Sequence, residues 1–269
     1  MKVTKDIAIV GGKRTAMAEY IGTPGYGKLK DLNANQLGGH AIKGALDDAK
    51  LKPEQVQHVV MGNAMQTSVD AHYGARHAAL RAGIPVETPA LTVNRICGSG
   101  AQSIVNLSQM LLLGEHEVGV AGGQESMSQA PFCVYGQHVR AGVRFGTQPT
   151  MVDFLFQGLH DSFCNTFMAQ TADNAAREAG VSRAEADEFA LRSHQLGAEA
   201  VKAGRFKDEI VPVSVGEGKR AVTVDTDDHI KPETTMDALS KLRPAFGENG
   251  IVTAGNASGI VDGGAALVL

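Results

Sequence analysis

A single cysteine, Cys97, stands in the run Cys97-Gly98-Ser99-Gly100-Ala101, between an apolar stretch from Pro89 to Ile96 and a helix-like stretch from Gln102 to Leu113. The pattern predicts a strand that turns tightly into a helix, with the thiol at the turn. Backbone N–H groups of a first helical turn and the positive end of its dipole favour thiolate over thiol. The same amides can stabilise an oxyanion when sulfur attacks a carbonyl, so one turn could supply both nucleophile and part of an oxyanion hole. That is covalent acyl chemistry. Cysteine is also among the most buried residue types, and by residue type alone a packed core role and a catalytic one stand level. Cys133, in Pro131-Phe132-Cys133-Val134, and Cys164, in Phe163-Cys164-Asn165, lack the strand-to-helix setting and read as structural.

The other chemistry-bearing residue types give little. The nine histidines show no close metal-ligand spacing, and His72 and His77, five apart on an expected helix, do not share a face. No metal site is expected. A net charge of −4 gives no concentrated basic field, so nucleic acid is not an expected partner. Three cysteines without paired spacing point to a reducing compartment, with the cytoplasm as the default. The short apolar run Ile7–Val10 is too brief for a signal-peptide core, and no apolar stretch is long enough to span a bilayer. A soluble protein without a membrane partner is the expectation.

Elements must position the thiol, and their rhythm is that of an α/β chain. Ile7–Val10 reads as a strand, and Ala34–Ala49 carries Leu37, Ala41, Ala45, Leu46 and Ala49 at helical spacing. Val59–Met61 leads to a helix over Ala71–Ala82, Ala90–Ile96 leads to the helix after Cys97, and Val118–Ala121 follows. Such alternation predicts a layered α/β domain with a mainly parallel sheet. The helix Ala101–Leu113 is apolar nearly all round and is expected to be buried. After Ser126 the rhythm breaks into ordered loop rich in Gly, Gln and Phe. Ser182-Arg183-Ala184-Glu185 then has the form of a capping box and opens a helix to about Lys202. Short strands are expected around Ile210–Val215 and Ala221–Val224, and Ala265–Leu269 reads as a buried last strand with no helix after it, as though the domain were interrupted.

Several segments together resemble the thiolase family. They are Arg14-Thr15, Asn94-Arg95-Ile96-Cys97-Gly98-Ser99-Gly100, Ala121-Gly122-Gly123-Gln124-Glu125-Ser126-Met127-Ser128, Gly204–Ile210, Lys241–Phe246 and Thr253–Gly259, in family order across the chain. The resemblance implies a thiolase-like half-fold, a mainly parallel mixed sheet with helices on both faces, carrying an inserted α+β loop domain. Residues 1–126 with 251–269 correspond to the N-terminal core, and 127–250 to the loop domain that binds coenzyme A and makes tetramer contacts. Cys97 falls on the acyl-accepting nucleophile. The family's activating histidine, oxyanion-orienting asparagine and second cysteine belong to a second half to which no residue here corresponds.

By the same resemblance the Ala257-Ser258-Gly259 turn binds the pantetheine arm through Ser258, with Phe246, Met168 and Leu159 as apolar contacts. Lys231 takes a position near the nucleotide end where the family often has arginine, and loses the planar fork. Phe167-Met168 replaces a His-Met pair usual in short-chain biosynthetic members. Without the resemblance, Phe246, Met168 and Leu159 would be read as core. The implied activity is an acetyl-CoA acetyltransferase of acyl-CoA metabolism, joining two acyl-CoA molecules or cleaving a 3-ketoacyl-CoA. It uses coenzyme A thioesters as substrates and no other cofactor. A homo-oligomer, dimer or tetramer, is implied, with Ala90–Ile96 pairing across the dimer and Phe132–Gln148 joining dimers. A ketoacyl-synthase-type condensing enzyme and a non-catalytic half-subunit or interaction module stand as alternatives.

Overall fold

A strand of small residues, Val261-Asp262-Gly263-Gly264-Ala265-Ala266-Leu267-Val268, runs through the middle of the main sheet of the computed structural model, which describes residues 6–269. In chain order the elements before it are β1 (Gly11–Arg14), β2 (Ala18–Glu19), α1 (Ala34–Ala49), β3 (His58–Gly62), α2 (Gly74–Arg81), β4 (Ala90–Val93), α3 (Ser99–Leu113) and β5 (Gly119–Glu125). There follow β6 (Phe132–Cys133), β7 (Val152–Asp153), α4 (Phe154–Gly158), β8 (His160–Asp161), β9 (Thr166–Phe167), α5 (Met168–Ala179), α6 (Arg183–Lys202), β10 (Val213–Val215), β11 (Val222–Val224) and α7 (Met236–Ser240). The small-residue strand is β12. The chain forms two compact units, 1–129 with 206–229 and 260–269, and 130–205 with 230–259.

In the first unit the sheet order is β1-β12-β5-β3-β4, with β2 also on β12. Strands β5, β3 and β4 are parallel, whereas β12 is antiparallel to both neighbours, Ala265 facing Gly123 and Arg14. The class is α/β with a mixed sheet. On one face α1 and α2 bury Ala41, Ile42, Ala45 and Ala78 against Val59, Met61, Val120 and Val268. On the other, Leu107 and Leu111 of α3 cover Val60, Ala121 and Leu269. Because successive strand residues point to opposite faces, β3 is buried along its whole length, as a strand covered on both sides must be. Close approach of α1 depends on Gly264, where a Cβ would lie 2.7 Å from the Leu37 carbonyl oxygen.

One expectation is corrected here, and two further features are drawn more closely. Ile7–Val10 is not a strand; pairing begins at Gly11, and Ile9 and Val10 are exposed. Helix α3 is buried along Ser99, Ser103, Leu107 and Leu111, a stripe at four-residue spacing, while Val105 and Leu113 are exposed. The boundary around residues 127–250 is also drawn differently. Residues 206–229 pack with the sheet, since Ile210, Val213 and Val224 share a core with Ala16, Leu29 and Leu37, and Arg14 pairs with Glu209 and Asp227 at 2.8 and 2.7 Å. Residues 251–259 go with the second unit, through contacts described below.

His58 opens β3 almost fully buried, its ring 5.0 Å from that of His116, and neither ring nitrogen has a hydrogen-bond partner among the described residues. Burial, with a smaller push from His116 against Glu115, lowers its pKa below the ordinary value. The unfolded chain therefore binds the proton more readily, and stability falls as pH drops below about 6.5. Urea unfolding of His58→Phe between pH 7.5 and 5.5 is expected to show a flatter stability profile than the unaltered protein. His40, lowered by desolvation and by Lys43, keeps part of the slope. An undiminished slope contradicts the assignment.

Candidate functional site

Strand β4 leaves the sheet three residues earlier than the sequence predicts, because the Asn94 side chain intercepts the backbone. Its Oδ1 accepts the Ile96 N–H at 2.9 Å, a side-chain-to-backbone turn that competes with the ladder. Ile96 then takes φ +49°, a left-handed conformation that is an outlier for a β-branched residue. Cys97 follows, exposed, one residue before Gly98, the N-cap of α3. The turn is closed by Gly98 N–H to Arg95 O at 3.0 Å and Ser99 N–H to Ile96 O at 3.1 Å. Ser99 Oγ is threaded between, accepting Arg95 N–H at 2.8 Å and donating to Ile96 O at 2.6 Å.

The start of α3 is fixed in depth by glycine. A Cβ on Gly62 would lie 2.5 Å from the Ser99 carbonyl carbon, so only glycine lets the first helical turn rest on the end of β3. Ser103 Oγ donates to Gly122 O at 2.8 Å and ties the second turn to β5. The Gly98 and Ser99 N–H groups are taken by the turn, and Gly98 provides no capping side chain for the N–H groups that follow in the first turn of α3. The arrangement presents an accessible sulfur next to the positive end of a helix, which suits attack on a carbonyl and stabilisation of the charge that develops.

Under this turn lies a polar network that the sequence reading did not single out. Glu125, at the end of β5, accepts the N–H groups of Ala64, in close contact, and Met65, at 3.1 Å. Burial pushes its carboxyl up from the ordinary range, and those amides and Asn63 pull the other way. Fully buried Asn63 donates to Gln124 O and Met65 O, and Gln124 Nε2 donates to Asn35 Oδ1 at 2.7 Å. Asn94 Nδ2 completes the link by donating to Ala64 O at 3.1 Å. The signal for this network was polar Gln124-Glu125-Ser126 ending an apolar strand, but the partners are some 60 residues away in sequence.

The seven candidate binding residues, Leu159, Met168, Lys231, Phe246, Ala257, Ser258 and Gly259, all belong to the second unit, and Cys97 to the first. Met168 N–H donates to Leu159 O at 3.0 Å, and Phe246 stacks on Phe167 at 4.8 Å, so three of the seven gather around Phe167. Phe167 also meets Phe156 at 4.6 Å and His160 at 4.7 Å, and is the centre of that aromatic group. Lys231 N–H donates to His194 Nδ1 at 3.2 Å. Exposed Ala257 and Ser258 follow a turn in which Ala257 N–H bonds Thr253 O at 2.9 Å. Cys164, expected to be packed, is instead exposed in the loop between β8 and β9, where Asp161 bonds the Phe163 and Cys164 N–H groups; Cys133 is half-buried.

Two buried carboxylates hold the 251–257 segment. Asp173 Oδ1 accepts Ile251 N–H and Val252 N–H at 2.8 and 3.0 Å, and Asp187, 1% exposed, accepts Asn256 Nδ2 at 2.8 Å and Arg183 Nε at 2.7 Å. Asp187→Ala leaves the Asn256 amide and the partly exposed Arg183 without their shared acceptor, and is expected to cost about 2 kcal/mol. Urea unfolding checks this; a loss below about 1 kcal/mol contradicts the anchoring role.

The family model described as "Thiolase, N-terminal domain" matches residues 7–269. Human mitochondrial 3-ketoacyl-CoA thiolase is 46% identical over 269 residues, covering 100% of this chain and 66% of the relative. Beta-ketothiolase BktB of Cupriavidus necator is also 46% identical, covering 99% and 66%. The solved human mitochondrial 3-ketoacyl-CoA thiolase in complex with CoA superposes with a TM-score of 0.90 at 47% identity, covering 97% of this chain and 63% of that one. The chain thus spans just under two thirds of the length of the relatives it matches.

Proposed function

The chain belongs to the thiolase family, and from that premise we propose that it carries the acyl-accepting cysteine of an acetyl-CoA acetyltransferase or 3-ketoacyl-CoA thiolase. The observation behind the reading is exposed Cys97 on the turn into α3. Its sulfur attacks the thioester carbonyl of an acyl-CoA; the new S–C bond forms, the bond to coenzyme A sulfur breaks, and coenzyme A leaves with the proton given up by Cys97. The first-turn amides of α3 oppose the negative charge on the carbonyl oxygen. The carbanion of a second acyl-CoA then attacks the acyl carbonyl, forming a C–C bond and releasing the Cys97 thiolate and a 3-ketoacyl-CoA. Thiolytic cleavage is the same path reversed. No residue of this chain is assigned to deprotonating Cys97 or the second substrate.

Coenzyme A is read onto the second unit, with Ser258 and its neighbours Ala257 and Gly259 toward the pantetheine arm, Leu159, Met168 and Phe246 as apolar contacts, and Lys231 toward the nucleotide. The human relative solved with CoA supports this class of ligand. No resident cofactor is called for, because the thioester already activates the acyl group. The exposed side of α3, with Val105 and Leu113, is assigned to a covering α/β layer of the kind the resemblance implies. Thiolysis of acetoacetyl-CoA by the protein that contains this chain is expected to fall about 10³-fold or more in Cys97→Ser. Undiminished turnover in that variant contradicts the reading.

The reading also makes the protein a homo-oligomer. Strand β4 is an open edge of its sheet, and Phe132, Tyr135, Val143 and Phe145 are exposed in the stretch that the resemblance gives to subunit contacts. Light scattering at micromolar concentration is expected to report a dimer or tetramer, and a monodisperse monomer contradicts it.

A further inference from the structure

Cys97 is preceded by a residue, Ile96, whose backbone N–H and C=O are each engaged by a side chain, the C=O also accepting the Ser99 N–H at 3.1 Å. The Ile96 N–H is bound by Asn94 Oδ1 at 2.9 Å, and the Ile96 C=O by Ser99 Oγ at 2.6 Å. Ile96 sits at φ +49° and is exposed, so no packing of its own side chain accounts for that conformation. Asn94 uses both ends of its amide. Its Nδ2 donates to Ala64 O at 3.1 Å, and Ala64 is itself held through its N–H by Glu125 at the end of β5. The position needs a donor toward a carbonyl and an acceptor toward an N–H, and the two ends of the Asn94 amide supply both.

We propose that Asn94 is a positioning residue for Cys97: it transfers the rigidity of the β3–β5 pair, through Glu125 and Ala64, to the left-handed peptide that sets the sulfur at the start of α3. The inference rests on the reading of Cys97 as acyl acceptor, and it adds a residue whose side chain acts through the backbone of Ile96. Asn94→Ala frees both contacts and lets Ile96 relax toward negative φ, swinging Cys97 away from the helix terminus. Asn94→Asp keeps the bond to Ile96 N–H while placing a carboxylate oxygen against Ala64 O, and gives an intermediate effect. Glycine adopts φ +49° without a Cβ penalty, so Ile96→Gly added to Asn94→Ala restores what the lost clamp had enforced. A residue with only a general structural role would gain nothing from that second change.

The test is the rate of iodoacetamide alkylation at Cys97, read by peptide mapping against Cys164 in the same molecule. Asn94→Ala is expected to slow Cys97 roughly tenfold with Cys164 unchanged, and Asn94→Ala/Ile96→Gly to return it to within about threefold of the unaltered protein. An unaltered Cys97 rate in Asn94→Ala overturns the proposal, and so does a slowed rate that Ile96→Gly fails to restore. Alkylation needs no acyl transfer, so failure of Cys97 to accept an acyl group refutes the proposed function separately and leaves this comparison to decide the positioning role.

Discussion

The peptide unit of Ile96 is the constraint through which the parts of the site communicate. Were it extended, β4 would run on past Val93, and Cys97 would be one more residue of an edge strand. Held left-handed, it turns the chain through Arg95 and Gly98 and delivers the thiol to the first turn of α3. A β-branched residue does not choose that conformation, so the surroundings must impose it, and here they do so from two sides, with Asn94 on the N–H and Ser99 on the carbonyl. Backbone strain of this kind persists only where neighbouring structure over-determines it.

That over-determination comes from the sheet. Parallel strands β3 and β5 lie side by side, and the loop after β3 is pinned to the end of β5 by Glu125, which accepts the Ala64 and Met65 N–H groups, and by Asn63, which donates to Gln124 O. Gly62 lets the helix start sit directly on the strand end, and Ser103 ties the next turn to Gly122. The α/β arrangement thus supplies a rigid floor, a helix terminus and an exposed thiol at the carboxyl ends of adjacent parallel strands, where such folds ordinarily place their chemistry. In the second unit the same logic recurs on a loop: Asp173 and Asp187 fix the 251–257 segment by accepting its N–H groups, and so set the orientation of the turn that leads to Ser258.

The helices were the most legible part of the sequence, because periodicity and capping are local. Ala34–Ala49 forms as the spacing predicts, and Ser182 caps α6 with Glu185 as the motif requires. Strands were less so. Gly11–Arg14 carries no apolar run and is a strand only because it pairs with Ala265–Val268, some 250 residues later. Cys97 was visible through its small neighbours, but the residues that hold it were not, since Asn63, Glu125 and Asn94 act through contacts that pattern reading does not see. The helix after Cys97 was legible as apolar, and one stripe of it is buried while Val105 and Leu113 are exposed, for composition records what a face can pack against and not what this chain places there.

Whether an acyl group passes to Cys97 is decided by trapping the intermediate. The protein is mixed with acetyl-CoA, quenched in acid within the first turnover and mapped by mass spectrometry. One acetyl group is expected, on the peptide bearing Cys97 and nowhere else. Acetyl on another residue, or a protein that turns over while the Cys97 peptide stays unmodified, would contradict it.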